Sequence, residues 1–133
     1  MKYVTETTVR FCETDAAGHV NNTSYFIYLE EARGKFFQHI LKDHQTFGQF
    51  IIASTQCDFL SQAYFNQELE IFTWISSIGT KSFRFNHSIQ AKETGDIIAK
   101  AEAAIVHFNY EEQRSEAIAA EIREVLEEQL VTN

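Results

Sequence analysis

The chain has 133 residues, 44% hydrophobic and 23% charged, with twelve phenylalanines and a net charge of −8 at pH 7. That length and composition suit one globular domain over residues 1–133, able to bury roughly two-thirds of its unfolded surface, and they exclude a disordered or repetitive chain. The acidic balance argues against general nucleic-acid binding; with no apolar run near the ~20 residues that span a bilayer and no signal-peptide pattern in the first ten residues, a cytoplasmic protein without membrane partners is expected.

Residues 2–11 alternate loosely through Tyr3, Val4, Thr7, Val9 and Phe11 and predict a first strand. The run ETDAAGHVNN, Glu13 to Asn22, then packs two carboxylates, a glycine, an imidazole and two amides just before a helical pattern. Asp15, followed by Gly18, His19, Asn21 and Asn22, can lay a carboxylate beside the free N–H groups that open a helix, an arrangement suited to attack on a carbonyl. Residues 24–41 carry Tyr25, Tyr28, Leu29, Ala32, Phe36, Phe37, Ile40 and Leu41 at helical spacing. Such a helix would run ~27 Å, and Asn22, Thr23 and Ser24 are all competent to cap it.

After Gly48 the pattern becomes β-branched and aromatic, with strands expected at 50–59, 69–78, 82–91 and 97–108. Gly79-Thr80 and Thr94-Gly95-Asp96 signal short turns, so the last three strands should form an antiparallel meander. Residues 115–130 return to helical spacing, with Ser115 as N-cap and Glu116 in the first turn. The order predicts an α+β domain in which one antiparallel sheet curls around the long helix. Its exposed edges call for pairing with another copy of the chain.

Several features carry two readings. Asp15 is a catalytic carboxylate or an Asx-turn residue before a helix. Asn21 and Asn22 suit helix capping, and Glu30 with Arg33 forms an i to i+3 pair. From Ile71 to Lys92 there is no Asp or Glu, while Lys81, Arg84, His87 and Lys92 fall there. That is a place for an anion or simply a sheet-rich segment poor in acids. Cys12 and Cys57 read as free thiols. His39 and His44 are five apart, off a common helix face, so no metal is expected.

The run Asp15, Gly18, His19, Val20, Asn21, Asn22, Tyr25, Tyr28, Glu30, Ala32 and Arg33, as DxxGHVNNxxYxxYxExAR, resembles the hotdog-fold acyl thioesterases of the 4-hydroxybenzoyl-CoA thioesterase type. Asp58-Phe59-Leu60, Ile78-Gly79 before Lys81-Ser82-Phe83, and Gly95 with Ala99 and Ala101 extend the likeness. The resemblance implies a five-stranded sheet around a long helix, to which the spacing of the tail adds a C-terminal helix, assembled as homodimers or homotetramers with sites between subunits. It also implies hydrolysis of an acyl-CoA or acyl-ACP thioester, for which no cofactor is expected. The family's catalytic aspartate maps to Asp15, as nucleophile or general base, and its oxyanion-binding amide maps near Asn22. The HVNN form is closest to the long-chain fatty-acyl branch, while Ala17 stands where plant members carry asparagine. His19 reads either as a support for Asp15 or as a hydrogen-bonded turn residue. Gly18, Asn21, Tyr25 and Tyr28 are candidate substrate contacts, and Lys81 and Arg84 candidate partners for coenzyme A phosphates. Two alternatives are a non-catalytic acyl-thioester binding module and a hotdog dehydratase, whose separate His and acidic signature the chain lacks.

Overall fold

The computed structural model describes residues 2–41 and 49–131. The β-branched and aromatic runs form strands: β1 (Tyr3–Thr8), β2 (Phe50–Phe59), β3 (Glu68–Ile78), β4 (Ser82–Ala91), β5 (Ile97–Asn109) and a two-residue β6 (Arg114–Ser115). Two helices complete the fold, α1 (Asn22–Ile40) and α2 (Ala120–Glu128), and a 3-10 turn at Phe11–Glu13 follows β1.

The sheet runs β1-β3-β4-β5-β2, antiparallel throughout, with β6 paired to the end of β5. β3, β4 and β5 form the expected meander. β2 lies outside β5, so the chain must cross the sheet after Phe59 to enter β3 beside β1. That crossing carries Ala63 and Tyr64 beneath the loop that precedes α1.

Strand alternation turns one face inward. Leu69, Ile71, Thr73 and Ile75 of β3 are buried, as are Phe83, Phe85, His87 and Ile89 of β4 and Ala99, Ala101, Ala103 and Ile105 of β5. The inner stripe of α1, from Tyr25 and Leu29 to Phe36 and Phe37, is buried with them. One core cluster gathers Leu29, Ile71, Ile89 and Ala99; the other gathers Phe36, Phe37, Phe83 and Phe85 with Ile122 and Leu126 of α2. In the second, Phe36 and Phe85 meet edge-on at 5.5 Å and Phe37 and Phe83 at 5.8 Å.

Local hydrogen bonds move several expected boundaries. β1 ends at Thr8, and the chain then winds into the 3-10 turn, with Val9 N–H donating to the Gln67 carbonyl of the crossing. The cap of α1 is Asn21, whose Oδ1 accepts from Ser24 N–H at 2.8 Å, so Asn22, Thr23 and Ser24 form the first turn instead of capping it. Ser115 and Glu116 do not begin a helix: Ser115 pairs with Phe108 and Glu116 N–H donates to the His107 carbonyl, so ladder bonds take the groups that a cap would have satisfied. α2 starts at Ala120, with Glu121 in its first turn. The short β6 is an addition to the five strands expected. His44 lies outside the described residues.

Phe85 has no exposed surface and touches three other aromatic rings of the core and His87. Phe85→Ala should cost about 3–5 kcal/mol, read as a lower urea midpoint with an unchanged denaturant slope.

Candidate active site

The segment between the 3-10 turn and α1 closes on itself. Asn21 N–H donates to the Glu13 carbonyl at 2.9 Å, Thr14 bridges Val20, and Asp15 N–H donates to the His19 carbonyl at 2.8 Å. At the tip Gly18 adopts φ +85°, which a side chain would strain, and its N–H returns to the Asp15 carbonyl. Val20 N–H donates to the Ala63 carbonyl, which seats the loop on the β2–β3 crossing. Asp15 thus stands two residues along this ladder from Asn21, the cap of α1, about 7 Å.

Asp15 is exposed, and only its Oδ1 is engaged, by Ala17 N–H at 2.9 Å and His19 N–H at 3.4 Å. Both readings of Asp15 therefore have an oxygen: Oδ1 makes the Asx turn, and Oδ2 has no partner among the described residues. His19 reaches Asp15 through its backbone only, while its ring lies edge-on to Tyr64 at 5.1 Å.

At the helix start the Asn21 side chain spends its Oδ1 on Ser24 N–H. The N–H groups of Asn22 and Thr23 have no hydrogen-bond partner among the described residues, and the helix dipole adds about half a positive charge there. A cleft of about 410 Å³ opens beside them, lined by Val20, Asn22, Tyr25, Phe59, Leu60 and Gln62 among others.

Glu13 holds this assembly from behind. Its buried carboxylate accepts from Arg10 N–H and Tyr28 O–H on Oε1, each at 2.8 Å, and from Arg10 Nη2 and Nε on Oε2 at 2.9 and 3.2 Å. Burial alone would raise the Glu13 carboxyl, but the Arg10 N–H and guanidinium and the Tyr28 hydroxyl outweigh it and hold the group below its ordinary value. Tyr28 is correspondingly raised, first by burial and then by its bond to Glu13. Tyr28 was expected at the substrate; its hydroxyl is instead spent on Glu13, and its ring is core. Tyr25 does line the cleft.

Other expected residues lie elsewhere. Lys81 sits in the β3–β4 turn and Arg84 on the outer face of β4, 3.7 Å from Glu102. The site end of the sheet is where Leu69 faces Ala91, and Arg84 is seven residues from it, roughly 23 Å. Within one chain neither cation meets Asp15. Glu30 and Arg33 make no ion pair: Glu30 is exposed, and Arg33 turns inward to His87 at 3.4 Å. Among the described residues no three His, Cys, Asp or Glu side chains gather into a metal-binding group.

Comparison with known proteins gives a concordant result. A family model described as the thioesterase-like superfamily matches residues 9–130. A predicted thioesterase from Bacillus stearothermophilus superposes with a TM-score of 0.90 and 30% identity, over 100% of this chain and 99% of that one. Bacillus subtilis YsmA is 36% identical over 88 residues, 64% of this chain and 58% of that protein. The acyl-CoA thioesterase YbgC of Helicobacter pylori is 38% identical over 72 residues, 53% of each chain. The chain thus aligns with little more than half the length of these two relatives.

The Glu13 network sets a stability expectation. Tyr28→Phe, which removes one donor from a buried carboxylate, should lower stability by about 1–3 kcal/mol. Folded Glu13 binds its proton less tightly than unfolded Glu13, so stability rises with pH; the contribution is full above about pH 5 and is lost as pH falls below about 4. Urea midpoints collected from acid to neutral pH should show that limb in the wild type and a flatter one in Glu13→Gln.

Proposed function

The chain belongs to the thioesterase-like superfamily, and we propose that it hydrolyses an acyl-coenzyme A thioester to the free acid and thiol, with Asp15 as the essential carboxylate. One observation carries this reading: the closed loop that holds Asp15, with one carboxylate oxygen unengaged, leads directly into the start of α1, where the N–H groups of Asn22 and Thr23 are open and Asn22 lines a cleft.

In this mechanism the thioester carbonyl enters beside the start of α1 and its oxygen accepts from Asn22 N–H. Asp15 takes a proton from water as the water oxygen bonds to the carbonyl carbon, and the resulting oxyanion rests on the helix amides. Collapse breaks the carbon–sulfur bond, and the leaving thiolate takes the proton from Asp15. His19 supports the loop through its backbone and through its ring on Tyr64. The DxxGHVNNxxYxxYxExAR run supports a place near the 4-hydroxybenzoyl-CoA thioesterase type.

The assembly proposed is a homodimer or homotetramer of single-domain chains. β2 supports it, being an edge strand that leaves Ile52 and Phe59 exposed, with Leu60 exposed just beyond its end. No helix among the described residues is long and apolar enough to cross a membrane, and a cytoplasmic enzyme acting on dissolved thioesters is the corresponding proposal.

Thiol release from a panel of acyl-CoAs tests the hydrolase. Asp15→Asn should lower kcat by about 100-fold or more with circular dichroism unchanged. Tight acyl-CoA binding with no thiol release in the wild type would identify a binding module instead.

A further inference from the structure

No step of the hydrolysis uses the acid-free segment from Ile71 to Lys92, yet its outward side chains meet in a cleft of about 500 Å³ on the face of the sheet opposite α1. Five residues that line this cleft, Phe72, Trp74, Asn86, Ser88 and Gln90, come from the segment, and Lys2 and Lys100 flank them. Phe72, Ser88 and Lys100 form one row across β3, β4 and β5, and Trp74 with Asn86 belongs to the next outward row. Phe72 and Trp74 are both half-buried and stand two positions apart on β3, about 7 Å, which makes an aromatic floor. Lys2 Nζ lies 4.1 Å from the Trp74 ring centroid, so the indole turns a face outward.

The polar groups around this floor are donors with protons to spare. Ser88 is 8% exposed, and its hydroxyl accepts from Gln90 Nε2 at 3.4 Å, which leaves its own proton without an acceptor among the described residues. Asn86 Oδ1 accepts from Ser76 Oγ at 2.5 Å, and the Asn86 amino group is likewise unspent. Lys2 and Lys100 make no ion pair among the described residues. The nearest carboxylates in register do not line the cleft: Asp58 faces Lys100 from β2 without pairing with it, Glu102 is 3.7 Å from Arg84, and Glu70, opposite Gln90, acts on Lys92. On a chain of net charge −8 this is a local reversal of sign. Unspent donors, two ammonium groups and an aromatic floor complement a ligand that is both flat and anionic.

We propose that this cleft binds a free purine mononucleotide, with its base across Phe72 and Trp74 and its phosphate at Ser88 and Lys100. The inference is independent of the hydrolase reading. A two-ring base covers both aromatic side chains where a one-ring base covers one, and stacking on them adds affinity without reading a base edge. The base takes the indole face from Lys2, whose ammonium is then free to join the phosphate. Register sets the reach: Ser88 is one strand from Phe72 and Lys100 is two, about 5 and 10 Å, which brackets the distance from base to phosphate in a nucleotide. The phosphate accepts from the Ser88 hydroxyl and from Lys100 Nζ, and the Asn86 amino group, in the row of Trp74, is left for the ribose or the base. The sheet stands between this cleft and the cleft at Asn22, so the nucleotide is not the one carried by the coenzyme A of a thioester bound there.

Trp74 is the only tryptophan of the chain, so its emission reads the site directly. Titration with adenosine monophosphate, excited at the red edge of the indole band where adenine does not absorb, should quench that emission saturably. Adenosine should bind roughly tenfold more weakly, and added salt should weaken the nucleotide alone. Lys100→Gln should lower the affinity for adenosine monophosphate roughly tenfold and leave that for adenosine unchanged, with circular dichroism unaltered. Quenching that does not saturate, equal affinities for nucleotide and nucleoside, or an unchanged affinity in Lys100→Gln overturns the inference. Tighter binding of coenzyme A than of adenosine monophosphate also overturns it, by assigning the cleft to the nucleotide end of that coenzyme. So does a tetramer in sedimentation whose Trp74 emission is blue-shifted and insensitive to nucleotide, which assigns this face to a second copy of the chain.

Discussion

A carboxylate taken out of water must be neutralised by charge or hydrogen bonds, and Glu13 meets that requirement with four donor groups drawn from Arg10 and Tyr28. Those partners come from the end of β1 and the second turn of α1, so the bonds that satisfy the charge also fix the angle between strand and helix. The Glu13 carbonyl accepts from Asn21 N–H at the same time, which ties both ends of the 14–20 loop to one residue. Asp15 needs no burial of its own to be positioned. It stays exposed, with one oxygen free, because Glu13 carries the structural load behind it.

The rest of the fold divides along the length of α1. Past Phe36 the layer between helix and sheet is filled by stacked and edge-on phenylalanines and closed by α2. Toward Asn22 the sheet side is small, with alanines on β5, and the β2 edge is open. One end of the sandwich is thus packed for stability and the other leaves room beside the helix start. The β2–β3 crossing joins the two purposes, since it supplies the Ala63 carbonyl that seats the loop and the Ser61-Gln62 wall of the cleft.

Local patterns carried much of this into the sequence. β2 and β4 begin and end where β-branched and aromatic runs do, because alternation is a property of each strand alone. The composition of the 13–22 run likewise marks the candidate site, since it sets a carboxylate, a left-handed glycine and a helix cap together. The start of α1 was ambiguous because four consecutive residues, Asn21 to Ser24, are all chemically able to cap it, and the choice depends on where Glu13 holds Asn21. Ser115 looked like a cap until β5 offered it a ladder partner. Arg33 was assigned to Glu30 because helical spacing shows only neighbours along one helix; its contact with His87 spans 54 positions and follows from the register of β4 under α1. The bond of Tyr28 to Glu13 and the end of the sheet that Lys81 and Arg84 occupy were hidden for the same reason, since composition marks a residue as aromatic or cationic but not where the register puts it.

The central claim is that the start of α1 and the free oxygen of Asp15 hold one carbonyl between them. A crystal structure with a non-hydrolysable acyl-CoA ketone addresses it directly. The carbonyl oxygen should lie about 3 Å from Asn22 or Thr23 N–H, with a water between the carbonyl carbon and Asp15. A carbonyl bound away from the helix start, as in the separate cleft lined by Thr8, Tyr64 and Gln67, would contradict the account.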